Sequence, residues 1–133
     1  MKPKAIVFDL DWVLCDLWDS DNPYNHDGEE YVISEMENIM RNLYMYNDCT
    51  IILTGRKEKD FKNVTVKWLS NNEILYDRLI MQEWSQGEKN HIYKEKELVK
   101  LQERYDIVAM VDDNPDLIPV CKKLGILLLQ VHR

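Results

Sequence analysis

The sequence predicts an α/β fold: three layers, with a parallel sheet carrying helices on both faces. Three observations predict it. Short apolar runs alternate with amphipathic stretches along the chain. No internal repeat, low-complexity tract or linker interrupts the alternation. Polar residues follow directly after the apolar runs, where an open parallel sheet places its ligands.

Each element follows from its residues. Lys4 to Phe8 is a brief run rich in β-formers, the first strand. Residues 16 to 28 carry the turn signals Asn22-Pro23 and Asp27-Gly28 and are read as a loop. From Glu29 to Tyr46, Val32, Met36, Ile39, Met40 and Leu43 recur at helical spacing. Cys49 to Leu53 is a second strand, ending at Thr54-Gly55-Arg56. Phe61, Val64, Trp68 and Leu69 mark a second helix, and Arg78 to Met81 a short third strand. Gln82 to Asn90 is polar and read as loop. A charged helix follows, with Leu98, Leu101 and Tyr105 on its buried face. Ile107 to Val111 is the fourth strand, ending in Asp112-Asp113-Asn114-Pro115. Asn114 is expected to cap a helix that starts at Pro115, buries Leu117, Cys121 and Leu124, and stops at Gly125. Ile126 to Val131 is a final buried strand.

The 133 residues fit a single domain spanning 1–133. A chain of this size buries roughly two-thirds of its unfolded surface. No apolar run approaches the ~20 residues that cross a bilayer, and the N-terminus reaches Asp9 too soon for a signal peptide. Three widely spaced cysteines, Cys15, Cys49 and Cys121, suit free thiols in a reducing, cytoplasmic setting; Cys49 and Cys121 are expected to pack in the core. The net charge of −7 argues against strong non-specific binding of nucleic acid. Asp16, Asp19, Asp21, Asp27, Glu29 and Glu30 crowd one segment, beside His26, and read as a solvated loop.

The residues that follow the strands make one chemical set. Asp9 and Asp11 follow the first strand, Thr54, Gly55 and Arg56 the second, and Asp112 and Asp113 the fourth; the charged helix carries Lys94 and Lys96. Any one of these alone reads as loop, turn, cap or surface charge. Together they are clustered carboxylates, which repel unless one is protonated or a cation lies among them. Oxygen-only ligands at this density suit Mg²⁺ shared with a phosphate. A carboxylate can attack phosphorus, a second can pass a proton, and a lysine and a hydroxyl can hold phosphoryl oxygens.

These residues resemble a known family. Ile6-Val7-Phe8-Asp9-Leu10-Asp11 looks like the first motif of the haloacid dehalogenase superfamily, Ile51-Ile52-Leu53-Thr54-Gly55 its second, Lys94 its third, and Val111-Asp112-Asp113 its fourth. The resemblance implies a Rossmann-like sheet without a sizeable cap domain. It implies that Asp9 is nucleophile and metal ligand. Asp11 is then general acid/base, and its backbone carbonyl is a ligand. Thr54 and Lys94 bind the phosphoryl group and Asp112 binds Mg²⁺. Asp113 binds through water or orients Lys94. Lys94 is preferred to Lys96 from its place in Ile92-Tyr93-Lys94-Glu95; two residues apart, the two face opposite ways on a helix.

A closer likeness is to the 3′-phosphatase domain of phage-type polynucleotide kinase-phosphatases. It rests on Asn22-Pro23-Tyr24, Thr54-Gly55-Arg56, Lys67-Trp68-Leu69, Leu79-Ile80-Met81-Gln82 and the Asp112-Asp113 segment. It implies that Arg56 helps bind the phosphate or the nucleic-acid end. Three positions depart from the pattern. Trp12-Val13 replaces the usual Gly-Thr, Asp21-Asn22 stands where relatives have an Arg, and Asn90 replaces an Asp. The expected function is a Mg²⁺-dependent phosphomonoesterase working through an aspartyl-phosphate on a polynucleotide 3′-phosphate or nucleotide phosphate. The rivals are a small-molecule phosphatase or 5′-nucleotidase and a binding module that has lost its chemistry.

Overall fold

The computed structural model describes residues 1–17, 28, 30–83 and 88–132. Its centre is a five-stranded, all-parallel sheet in the order β5-β4-β1-β6-β7. The strands are β1 (Lys4–Phe8), β4 (Cys49–Lys57), β5 (Arg78–Gln82), β6 (Asp106–Asp112) and β7 (Leu127–Gln130). Two short strands, β2 (Cys15–Asp16) and β3 (Tyr31–Val32), pair antiparallel beside it. The helices are α1 (Ser34–Tyr44), α2 (Glu58–Asn71), α3 (Asn90–Gln102) and α4 (Leu117–Leu124).

Two apolar clusters fill the space between sheet and helices. On one face, Val7, Ile51 and Met110 pack with Tyr93, Leu98 and Leu101 of α3 and Leu117, Val120 and Cys121 of α4. On the other, Phe8, Ile52 and Val111 pack with Met40 of α1 and Trp68 and Leu69 of α2. This is the three-layer α/β fold that the alternating pattern predicts. Cys49 and Cys121 are buried as expected, and so is Cys15. Among the described residues no helix is long and apolar enough to cross a membrane. Between β1 and α1 the described residues add only the β2–β3 ribbon, and among the described residues no sizeable cap domain covers the sheet.

The final strand, expected buried over Ile126–Val131, is the edge strand β7 (Leu127–Gln130) and leaves Leu127 and Leu129 exposed, because nothing pairs or packs on that side among the described residues. Other boundaries differ from the sequence reading for local reasons. The helix expected over Glu29–Tyr46 begins only at Ser34. Ahead of it Val32 pairs with Cys15, and the Ile33 N–H bonds the Leu14 carbonyl at 2.7 Å. Asp16, expected in a loop, is thereby drawn into a strand; residues 18–27 and 29 of that acidic segment lie outside the described residues. β4 runs on through Thr54-Gly55-Arg56 to Lys57. Its register against β5 jumps from Leu53↔Ile80 to Lys57↔Gln82, so β4 carries two surplus residues that bulge at the strand end. Gln82 closes β5 instead of opening a loop, and residues 84–87 of that expected loop lie outside the described residues. Finally, α4 starts at Leu117 and not at Pro115. Asn114 Oδ1 accepts from the Asp116 N–H at 2.9 Å, closing a turn of its own before the helix begins. Tyr105 lies past the end of α3 but still packs on the core.

The strand order fixes where a ligand goes. From β1 the chain moves one way to β4 and β5, then returns to the other side for β6 and β7. The reversal leaves a crevice beyond the carboxyl end of β1.

Candidate active site

β1 is the central strand, flanked by β4 and β6, so its apolar residues are almost wholly buried. The Asp9 N–H still bonds the Val111 carbonyl at 2.9 Å, which fixes Asp9 at the lip of the sheet. Its carboxylate accepts the Leu10 N–H at 2.8 Å. Asp112 ends β6 beside it and is fully buried; its Oδ1 accepts the Asn114 N–H at 3.0 Å. Lys94, on the second turn of α3, is also fully buried. Its ammonium lies 2.6 Å from Asp112 Oδ2 and 2.9 Å from Asp9 Oδ1. Lys96 points away and pairs with Glu88 at the surface. Helical geometry therefore separates the two lysines as the offset requires.

Asp9, Asp112 and Asp113 each bring a carboxylate oxygen within 4.8 Å of the others. With all three ionised, the carboxylates carry two more negative charges than the Lys94 ammonium offsets. Both pKa directions follow. Burial, then the Asp112 charge, pushes the Asp9 carboxyl well above its ordinary value, with Lys94 only partly opposing. Burial and Asp112 likewise raise Asp113. Burial alone would lower Lys94, but Asp9 and Asp112 outweigh it and hold the ammonium charged. Hard oxygen donors with two uncompensated charges are a fit for a divalent cation. The three aspartates could hold one.

Thr54 is buried in the β4 bulge, and its Oγ1 accepts the Arg56 N–H at 3.2 Å. Gly55 is required by a close approach: a Cβ there would sit 2.5 Å from Asn90 Oδ1. Asp9, Asp11, Thr54, Gly55, Arg56 and Asp113 all line one open cavity of about 900 Å³. The residues from three strand ends therefore meet in one crevice.

Two predicted roles meet a different geometry. Lys94 is oriented by Asp9 and Asp112, leaving Asp113 on the carboxylate cluster. Arg56, expected to reach substrate, has a side chain only 1% exposed. Its Nε and Nη2 donate to the Asp11 carboxylate at 3.0 and 2.5 Å, and its Nη1 donates to Thr65 Oγ1 at 3.0 Å. Glu30 Oε1 lies 3.9 Å from the same guanidinium. This planar fork holds Asp11 in place. Arg56→Lys, which keeps the charge and loses the fork, is expected to lower kcat about tenfold with little change in KM. A rise in KM at constant kcat would return Arg56 to substrate binding.

The departures at Trp12 and Val13 also resolve. Trp12 has φ +67°, a left-handed conformation rare for a bulky residue. The backbone therefore takes a shape that glycine adopts without cost. The indole packs on the core and lines the cavity, while Val13 is wholly buried. Thr65, Glu30 and Gln82 were not legible as site residues. Thr65 and Glu30 lack any strand-end position. Gln82 directly follows the apolar run Leu79–Met81, the signal that could have found it.

Comparison with known proteins places the chain among relatives. The model of the polynucleotide kinase PNKP phosphatase domain matches residues 3–133. No curated protein matches. Two solved structures of the Pnkp1/Rnl/Hen1 complex, one described as an RNA repair complex, are similar at 25% and 24% identity, with TM-scores of 0.87 and 0.88. Each match covers 98% of this chain but only 46% and 42% of the other, so the chain spans less than half of these relatives. The class C acid phosphatase from Bacillus anthracis shares the fold at 20% identity and TM-score 0.66, over 89% of this chain and 55% of that one. A HAD-like protein from Mesorhizobium loti does so at 13% and 0.70, over 94% and 70%.

Proposed function

The chain belongs to the polynucleotide kinase phosphatase-domain family and is a phosphatase; from that premise we propose a Mg²⁺-dependent phosphomonoesterase that removes the 3′-phosphate from a polynucleotide end through an aspartyl-phosphate. The observation that carries this is the buried Asp9–Lys94–Asp112 arrangement, whose Asp9, with Asp113 beside it, opens on one cavity shared with Asp11 and Thr54.

Each residue has a role its position supports. Asp9, Asp112 and Asp113 would hold the Mg²⁺ with the Asp11 backbone carbonyl. When bound, the ion offsets the charge of the carboxylates and the phosphoryl oxygens. The second Asp9 oxygen attacks phosphorus, forming the O–P bond as the bond to the leaving ribose oxygen breaks. Lys94, held charged, and the Thr54 hydroxyl stabilise the phosphoryl oxygens. Asp11 gives its proton to the leaving oxygen, then takes one from the water that cleaves the acyl-phosphate. To do so it must turn part of its carboxyl from Arg56 toward the substrate. The relatives in an RNA repair complex support a polynucleotide end as substrate. A separate host location is not needed for the chemistry; a cytoplasmic one accords with the three free thiols.

A mononucleotide phosphate is the second reading. Asp60 and Glu88 on the cavity wall favour it, because each further phosphodiester brings negative charge toward them. A panel of 3′-phosphorylated oligonucleotide, nucleoside 3′- and 5′-monophosphates and aryl phosphate, with Mg²⁺ or with chelator, separates the two. The expected result is Mg²⁺-dependent release of phosphate with kcat/KM highest for the oligonucleotide 3′ end. Turnover of mononucleotides alone would overturn the polynucleotide reading, and full activity in chelator would overturn the metal.

A further inference from the structure

Gln82 is the last residue of β5, lines the same cavity as Asp9 and Thr54, and is only 6% exposed. Its Nε2 is buried with no hydrogen-bond partner among the described residues. A buried donor of this kind is rare in a native fold and asks for a reason. Its surroundings supply one. Lys57 is its register partner on β4 and also lines the cavity. The 13-residue helix α3 opens at Asn90, whose side chain abuts Gly55 of the β4 bulge and whose residue lines the same wall. The residue before that helix, Lys89, makes no side-chain cap. Uncapped N–H groups and the positive end of the helix favour an anion.

We propose that Gln82, Lys57 and the N-terminus of α3 form a second anion subsite, which takes the phosphodiester one nucleotide inward from the 3′-phosphate terminus. This deepens the proposed function and rests on it. The chemistry suits one singly charged group: an ammonium, a neutral amide donor and a helix terminus are present. Asp60 and Glu88 on the same wall oppose more charge; Glu88 is engaged by Lys96. The Nε2 atom is covered in the free protein, so the amide must turn into the cavity to make the bond. The terminal torsion of Gln is broad enough to allow it.

Steady-state kinetics on four substrates test this: a nucleoside 3′-monophosphate, a 3′-phosphorylated dinucleotide, the same dinucleotide with an uncharged methylphosphonate linkage, and an aryl phosphate. Wild-type kcat/KM is expected to be about tenfold higher for the charged dinucleotide than for the mononucleotide, with the methylphosphonate removing the gain. In Gln82→Met and Lys57→Gln the dinucleotide-to-mononucleotide ratio falls toward one, chiefly through KM. The Tm of Gln82→Met is not lowered, since the variant removes a donor that has no partner to lose. Equal rates for charged and uncharged linkages, or an unchanged ratio in both variants, overturn the subsite and leave the phosphatase reading standing. A Gln82→Met protein with lower Tm and the same proportional loss on all substrates makes Gln82 structural and also overturns it. Turnover of none of the four would overturn both readings together.

Discussion

Asp9→Asn is expected to abolish phosphatase turnover, by on the order of 10⁴-fold or more, while leaving the fold intact. The amide cannot attack phosphorus, yet it is nearly isosteric and its oxygen can still accept from Lys94, now 2.9 Å from Asp9 Oδ1. Stability should not fall. Asp9 is 6% exposed and its carboxyl is pushed upward by burial and by Asp112, so its charge is disfavoured in the fold. Activity assays beside a thermal melt check both halves. A variant with undiminished turnover would sink the nucleophile assignment, and an unfolded one would make the activity result uninformative about chemistry.

Lys94→Met is expected to lose both activity and stability. Lys94 is wholly buried between Asp9 and Asp112. Removing one partner of a buried ion pair leaves uncompensated charge and costs about 3–5 kcal/mol. The loss should depend on pH with a definite sign. In the metal-free protein Asp9 and Asp113 have folded values above the ordinary 3.8, so the folded state binds the extra protons. Their contribution is fully present below the unfolded value and is lost as pH rises through the folded ones. Without Lys94 this penalty grows, so the destabilisation should be largest near neutrality and shrink in mild acid. Denaturant melts of both proteins across that range, without divalent cation, measure it. A pH-independent difference would show that Lys94 acts by packing alone.

Much of this was legible in the residues. Apolar runs followed by Asp9, Thr54 and Asp112 locate where three strands reach the site, because burial on both faces demands continuous apolar sequence and the polar residues follow it, although β4 itself bulges at Thr54 and runs on to Lys57. Lys94 is different in kind. Its burial follows from two carboxylates on other strands, which no local pattern on α3 reveals; only likeness to a family singled it out. Arg56 shows the limit from the other side. Its proximity to the site was readable, but whether a guanidinium meets substrate or Asp11 is set by the β4 bulge and by Thr65 on α2. The late start of the helix expected over Glu29–Tyr46 has the same cause: Val32 fits a helix pattern and a strand equally, and pairing with Cys15 decides. Trp12 runs the opposite way. Its side chain is bulky, yet its backbone, at φ +67°, takes the left-handed conformation that favours glycine.

The proposed mechanism turns on Asp9 carrying the phosphoryl group. Acid quench of the protein during steady turnover of a 3′-phosphorylated oligonucleotide, followed by peptide mass mapping, tests it most directly. One phosphoryl group is expected on the peptide containing Asp9, lost on treatment with hydroxylamine and absent from Asp9→Asn. Rapid turnover with no phosphoryl group on that peptide, or with the group on another residue, would contradict it.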